Sequence, residues 1–184
     1  MSGAAQRAGG GSEKIIIIPT YNERDNIGRL LERVMALPYG LHVLVVDDGS
    51  PDGTAEIVKE WQAKEPRVHM LQRPGKMGLG SAYRDGFRYA LDRGFEYIFE
   101  MDADFSHDPD AIGGFLAAAE EADVVLGSRY LNGISPHAVL VTNRGAEEEI
   151  PIENEGIFTR LAPYALAPAA ALALRQIIRW KGRR

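Results

Sequence analysis

The chain has 184 residues, 45% apolar and 26% charged, which leaves room for one domain with a full hydrophobic core and excludes disorder of the whole chain. Lys and Arg number 21 against 26 Asp and Glu, a formal charge of -5, so no global positive field exists to draw in nucleic acid and no nucleic-acid partner is expected. With no cysteine there is no disulfide framework, thiolate metal site or cysteine nucleophile, in keeping with a reducing, cytoplasmic compartment.

Residues 1–13 are small, polar and glycine-rich, lack the apolar core of a signal peptide, and read as a flexible leader. From Ile15 to Gly127 short β-rich runs alternate with longer segments of helical period, the mark of an α/β fold with a doubly wound, mostly parallel sheet. The first strand is Ile15 to Ile18. A helix follows from about Arg24 to Ala36, with Ile27, Leu30, Leu31 and Val34 on one buried face. Strand two, Val43 to Val46, ends in DDGSPDGT, where Thr54 or Asp52 caps a helix that turns Ile57, Val58 and Trp61 inward.

Strand three is Val68 to Leu71. After the loop QRPGKMGLG a helix runs from Ser81 to Asp92, with Phe87, Ala90 and Leu91 inside and Tyr83 and Tyr89 at its edges. Strand four, Tyr97 to Met101, runs into DADFSHDP, and Pro109 suits the first turn of a helix that carries Ile112, Phe115, Leu116 and Ala119. Val124 to Leu126 is the fifth strand, and right-handed crossovers give the order 3-2-1-4-5. The alternation stops after Tyr130, so the domain spans 14–131 and 132–184 is a divergent segment whose Ala- and Leu-rich end suits a helix. The apolar stretch from Leu161 to Leu174 is interrupted by Pro163 and Pro168 and is too short to span a bilayer.

In an open parallel sheet ligands bind beyond the carboxyl ends of the strands, at the point where strand order reverses. PTYNE, DDGS and DADFSHD follow strands one, two and four, so they are expected to share one crevice. Asp102 and Asp104 are paired hard carboxylates suited to Mg²⁺ or Mn²⁺ with water and phosphate oxygens as further ligands. Asp48 can accept from the N–H groups of a nucleobase, Asp47 from the turn backbone, and an Asx-type turn accommodates both. Tyr21 can stack on a base and Glu23 accept from base or ribose, although Asn22 and Glu23 also suit a helix cap. The loop GKMGLGS, running into a helix N-terminus with Lys76 in it, suits an anion but matches neither a Walker A nor a dinucleotide fingerprint. Arg129 can neutralise a phosphate; His107 receives no role at this level.

The set IIIIPTYNE, VVDDGSPDGT, GKMGLGSAYRDGF, EMDADFSHDP and VVLGSRY, in this order and spacing, resembles the GT-A-type family 2 glycosyltransferases and within them the dolichol- or polyprenol-phosphate mannosyltransferases, over roughly Ile15 to Tyr130. The resemblance implies a nucleotide-sugar-binding fold and transfer of mannose from GDP-mannose to a polyprenol phosphate with inversion. It implies that Pro19, Tyr21, Glu23, Val46 and Asp48 line the nucleotide pocket, and that Asp102, Ala103 and Asp104 meet the sugar diphosphate. Asp102, Asp104 and Ser106 would surround a metal, Ser106 standing where many relatives have Gln; Asp104 and Arg129 would be catalytic, with Arg129 facing phosphate.

The acceptor segments that relatives carry after the GSRY-like motif have no counterpart in Ser135 to Arg160, so donor binding is expected to survive better than transfer. A lipid acceptor implies peripheral membrane contact at a cytoplasmic face, aided by the basic residues that end the chain. The competing readings are a nonenzymatic nucleotide-binding domain and a family 2 enzyme that uses UDP-glucose or another donor.

Overall fold

The computed structural model describes residues 13–120, 122, 124–126 and 139–142. Strands β1 (Lys14–Thr20), β2 (His42–Asp47), β3 (Val68–Gln72) and β4 (Tyr97–Glu100) alternate with helices α1 (Arg24–Met35), α2 (Thr54–Gln62) and α3 (Leu79–Asp92). A 3-10 turn over Pro109–Ala111 leads into α4 (Ile112–Ala118), followed by β5 (Val124–Leu126) and β6 (Val139–Thr142).

The first four strands are parallel and lie in the order β3-β2-β1-β4, as the sequence pattern predicts. Beyond β4 the expected order is corrected, because β6 inserts antiparallel between β4 and β5. Its residues, Val139 to Thr142, are the one short apolar run after Tyr130, and β-branched residues fit a pleated strand. Four residues are too few to show a period, so the sequence displays the run without its partner. The sheet thus takes in residues from beyond position 131.

Period-2 alternation sorts the side chains to two faces. Ile16, Ile18, Val43, Val45 and Phe99 pack against Ile27, Leu30, Leu31 and Val34 of α1, Val58 of α2 and Phe115 of α4. On the opposite face Ile15, Ile17, Leu44, Val46 and Ile98 pack against Ala82, Tyr83, Phe87 and Ala90 of α3. Tyr83, expected at a helix edge, is therefore part of the inner stripe. Ile57, Trp61 and Leu91, expected inside, are only partly buried against these cores. Gly86 permits the closest approach of α3 to the sheet, since a Cβ there would meet Ile17 Cγ2 at 2.5 Å.

The register brings four strand ends to one edge. Thr20 pairs with Asp47, Asp47 pairs with Gln72, and Ile17 pairs with Glu100. Because α1 and α3 leave β1 and β3 for opposite faces, the switch point lies between β1 and β4, with the PTYNE, DDGS and DAD loops around it.

Candidate active site

The loop after β2 supports the loop after β1. Asp47 is fully buried and accepts from the Thr20 hydroxyl at 3.0 Å, the Ser50 hydroxyl at 2.6 Å and the Ser50 backbone N–H at 3.1 Å. It thus serves the turn, one of the two uses the sequence leaves open for this acidic pair. The first free N–H groups around α1 are met from the same loop: Asn22 donates to the Ser50 hydroxyl, Glu23 to the Thr54 hydroxyl and Arg24 to Asp52, each at 3.0 Å. Glu23 stands at the N-cap position, but its side chain makes no capping bond, and it accepts from Asn26 instead. Asn22 has φ 62, a left-handed conformation that Asn tolerates and that turns the chain sharply after Tyr21.

Asp48 has a stronger set of partners than the sequence discloses. The guanidinium of Arg73, itself buried, binds one carboxylate oxygen, and the Met77 N–H donates to the other at 2.9 Å. Arg73 also reaches the Ser81 hydroxyl at 2.7 Å, Asp85 at 3.1 Å and the Gly78 carbonyl at 3.3 Å. One buried ion pair therefore ties the end of β2 to the glycine-rich loop and to the first turns of α3. Gly49 lets the loops pack: its φ is 68, and a Cβ there would lie 3.2 Å from the Gly75 Cα.

The Asp102–Asp104 turn is held from three sides. Tyr83 of α3 donates its hydroxyl to Asp102 Oδ1 at 2.9 Å. The Asp102 N–H donates to His107 Nδ1 at 3.0 Å, which leaves the ring proton on Nε2, 3.8 Å from Asp102 Oδ2. Ser106 donates its N–H to Asp104 Oδ1 at 2.9 Å. Burial pushes the Asp104 carboxyl upward, but the Ser106 hydroxyl and N–H outweigh it and hold the group below its ordinary range. Burial, with the charge of Asp102 beside it, pushes the Glu100 carboxyl up to about 8. Burial, followed by the charges of Asp102 and Glu100, raises the Tyr83 phenol well above its ordinary value, so it remains a donor. Phe105 has φ 62, rare for a bulky residue; its ring packs on the α1 side of the core and lies under Arg29, 5.4 Å from centroid to guanidinium carbon.

These loops surround an open pocket of about 260 Å³. Of the residues expected at the donor site, Pro19, Tyr21, Glu23, Asp48, Asp102, Ala103 and Asp104 line it. Val46 does not: the alternation of β2 turns its side chain to the α3 face of the sheet, where it is fully buried in the core. Ser106 is not in the lining either, and it serves Asp104. Arg129 lies outside the described residues, as do residues 1–12, most of the segment expected as a leader, and the basic end of the chain. Lys76 and Gly78 of the glycine-rich loop, Leu79 and Ala82 of α3, and Thr20 complete the lining.

The donor set fits a hard divalent cation of the Mg²⁺ or Mn²⁺ kind. Tyr83 donates to one oxygen of Asp102 and Ser106 to one oxygen of Asp104, and both carboxylates line the pocket, where they can present oxygen to the cation. Among the described residues no group of three or more His, Cys, Asp or Glu forms a cage. Two carboxylates with the remaining positions left to water and phosphate is the way Mg²⁺ is usually held.

A parallel sheet that switches direction beside an Asp-x-Asp turn has the fold class of the GT-A glycosyltransferases. A crystal structure of S. aureus TarS 1-349 shares this fold with TM-score 0.53 and 27% identity, over 62% of this chain and 34% of that one. The profile of Glycosyl transferase family 2 matches residues 15–174, past the Tyr130 at which the motif resemblance stops, and the chain belongs to that family. The Polyprenol monophosphomannose synthase of Mycolicibacterium smegmatis is 47% identical over 121 residues, 65% of this chain and 46% of that protein. The Undecaprenyl-phosphate mannosyltransferase of Micrococcus luteus is 46% identical over 119 residues, 65% of this chain and 49% of its own length. The chain thus spans about half the length of these curated relatives. No helix among the described residues is long and apolar enough to cross a membrane.

Proposed function

We propose that the chain transfers mannose from GDP-mannose to a polyprenol phosphate, with inversion at the anomeric carbon. The observation that carries this reading is that Asp102 and Asp104 line the same pocket as Tyr21, Glu23 and Asp48, so a diphosphate and a nucleoside have adjacent places. The names of the two bacterial relatives support mannose and a polyprenol phosphate as the transferred group and acceptor. GDP as the carrier follows from the motif resemblance.

On this reading Tyr21 stacks on the guanine and Glu23 accepts from base or ribose. Asp102 and Asp104 would hold a divalent ion, which when bound supplies neutralising charge to the leaving diphosphate. Tyr83, His107 and Ser106 keep the two carboxylates in place. An acceptor phosphate is already an anion near neutral pH, so no strong general base is required, and in-line positioning supplies much of the remaining effect. Arg129 is proposed to face the diphosphate as a second positive charge. A lipid acceptor requires the pocket mouth to face a membrane; Met77 and Leu79, 54% and 46% exposed on the glycine-rich loop, support peripheral contact there.

The test is a donor-by-acceptor screen of the full chain with Mg²⁺, with Mn²⁺ and with EDTA. The reading expects a mannosyl lipid from GDP-mannose and a polyprenyl phosphate, in the presence of a divalent ion, at a rate below that of nucleotide exchange. Nucleotide binding with no turnover of any donor would identify a nonenzymatic domain instead. Turnover of UDP-glucose in preference to GDP-mannose would replace the donor.

A further inference from the structure

Among the described residues that line the pocket, Lys76 is the one positive side chain, set against Glu23, Asp48, Asp102 and Asp104. Arg73 already offsets Asp48. No carboxylate among the described residues pairs with Lys76; its Nζ lies over the ring of Tyr21, 4.5 Å from the centroid. That ring is the face a nucleobase requires.

The backbone that follows Lys76 is held by hydrogen bonds, while its ammonium rests on a ring. Met77 N–H is bound to Asp48 at 2.9 Å, the Met77 carbonyl accepts from the Ser81 hydroxyl at 2.8 Å, and the Gly78 carbonyl accepts from Arg73 at 3.3 Å. A flexible four-carbon stem then carries a point charge from a held anchor at the pocket rim. An exposed ammonium–ring contact is weak, whereas a charge-assisted bond to phosphate is about twice as strong as a neutral one.

We infer that the Tyr21–Lys76 contact is an exchangeable cover: a nucleoside diphosphate takes the Tyr21 face with its base and draws the Lys76 ammonium onto its phosphates. Lys76 thereby distinguishes a nucleotide from the bare nucleoside. The inference rests on the nucleotide-sugar reading above and adds to it a residue and a movement.

Calorimetry on the full chain with GDP and with guanosine, in Mn²⁺, tests it through Lys76→Met, which keeps the length of the stem and removes the charge. GDP should bind roughly tenfold more weakly, while guanosine binds as well as before or more tightly because the ring is uncovered. Lys76→Arg should restore most of the GDP affinity. An equal loss for both ligands would mean that the loop is merely distorted, and no loss for GDP would mean that Lys76 does not meet phosphate; either overturns the inference while the parent's GDP binding stands. A parent chain that binds neither ligand would overturn the nucleotide reading, and the inference with it.

Discussion

The buried guanidinium of Arg73 holds the buried carboxylate of Asp48 at the point where β2, the glycine-rich loop and α3 meet. Removing one partner of such a pair leaves the other charge without compensation, at a cost of about 3–5 kcal/mol. Arg73→Met should therefore lower stability in urea by that order, and Asp48→Asn combined with it should cost less than the two single losses added together. A strictly additive double variant would show that the pair is not coupled.

Gly86 sets the distance between α3 and β1. A methyl at this position would stand 2.5 Å from Ile17 Cγ2, a side chain fully buried in the core. Gly86→Ala should cost about 1–3 kcal/mol despite the higher helix propensity of alanine. Gly114, with nothing within 4 Å of an added Cβ, is the control, and Gly114→Ala should be neutral or stabilising.

His42 and His69 lie at the amino-terminal side of the sheet, with rings stacked at 5.3 Å and Nδ1 3.0 Å from Nε2. Burial comes first in holding both below their ordinary value of 6.5; Arg67 adds to this at His42, against an opposing Glu13, and the His42 and Arg93 charges add to it at His69. The unfolded chain therefore takes up protons near pH 6.5 that the folded chain refuses, so stability is full above that value and falls as the pH drops through it. Glu100, its carboxyl pushed up to about 8, adds an opposite trend over the same range, so the pair is read by difference: the urea midpoint of the parent should fall relative to that of His42→Gln with His69→Gln between about pH 7.5 and about pH 5.5. An unchanged slope in the double variant would place the pH dependence elsewhere.

Leu79 is exposed at the pocket rim, and Met77, two positions before it, is exposed as well. Met77→Ser with Leu79→Ser should reduce flotation with vesicles that contain anionic lipid and a polyprenyl phosphate. Flotation indifferent to both changes would exclude this loop as the membrane contact.

Much of this was legible in the residues themselves. The spacing of Ile27, Leu30, Leu31 and Val34 gave the buried face of α1 because a helix on a sheet has a single apolar stripe, and all four are fully buried. The acidic loops could be assigned to one crevice because parallel topology fixes where strands end. Tyr83 is buried and not at the helix edge expected for it: Tyr83, Gly86, Phe87 and Ala90 follow one helical period, and the Tyr83 hydroxyl is satisfied inside, on Asp102. Arg73 left no trace in a single sequence, since its partner is 25 positions away and only the fold unites them. The place of β6 was hidden for the same reason.

We propose that Asp102 and Asp104 form a metal-dependent nucleotide site. Titration of GDP into the chain with Mn²⁺, with EDTA, and into Asp104→Asn tests it most directly. Binding is expected in the micromolar range, roughly -8 kcal/mol, weakened by EDTA and weakened as much by the substitution, with little further effect of EDTA on the variant. Equal GDP affinity in parent and variant, or affinity indifferent to the metal, would contradict it.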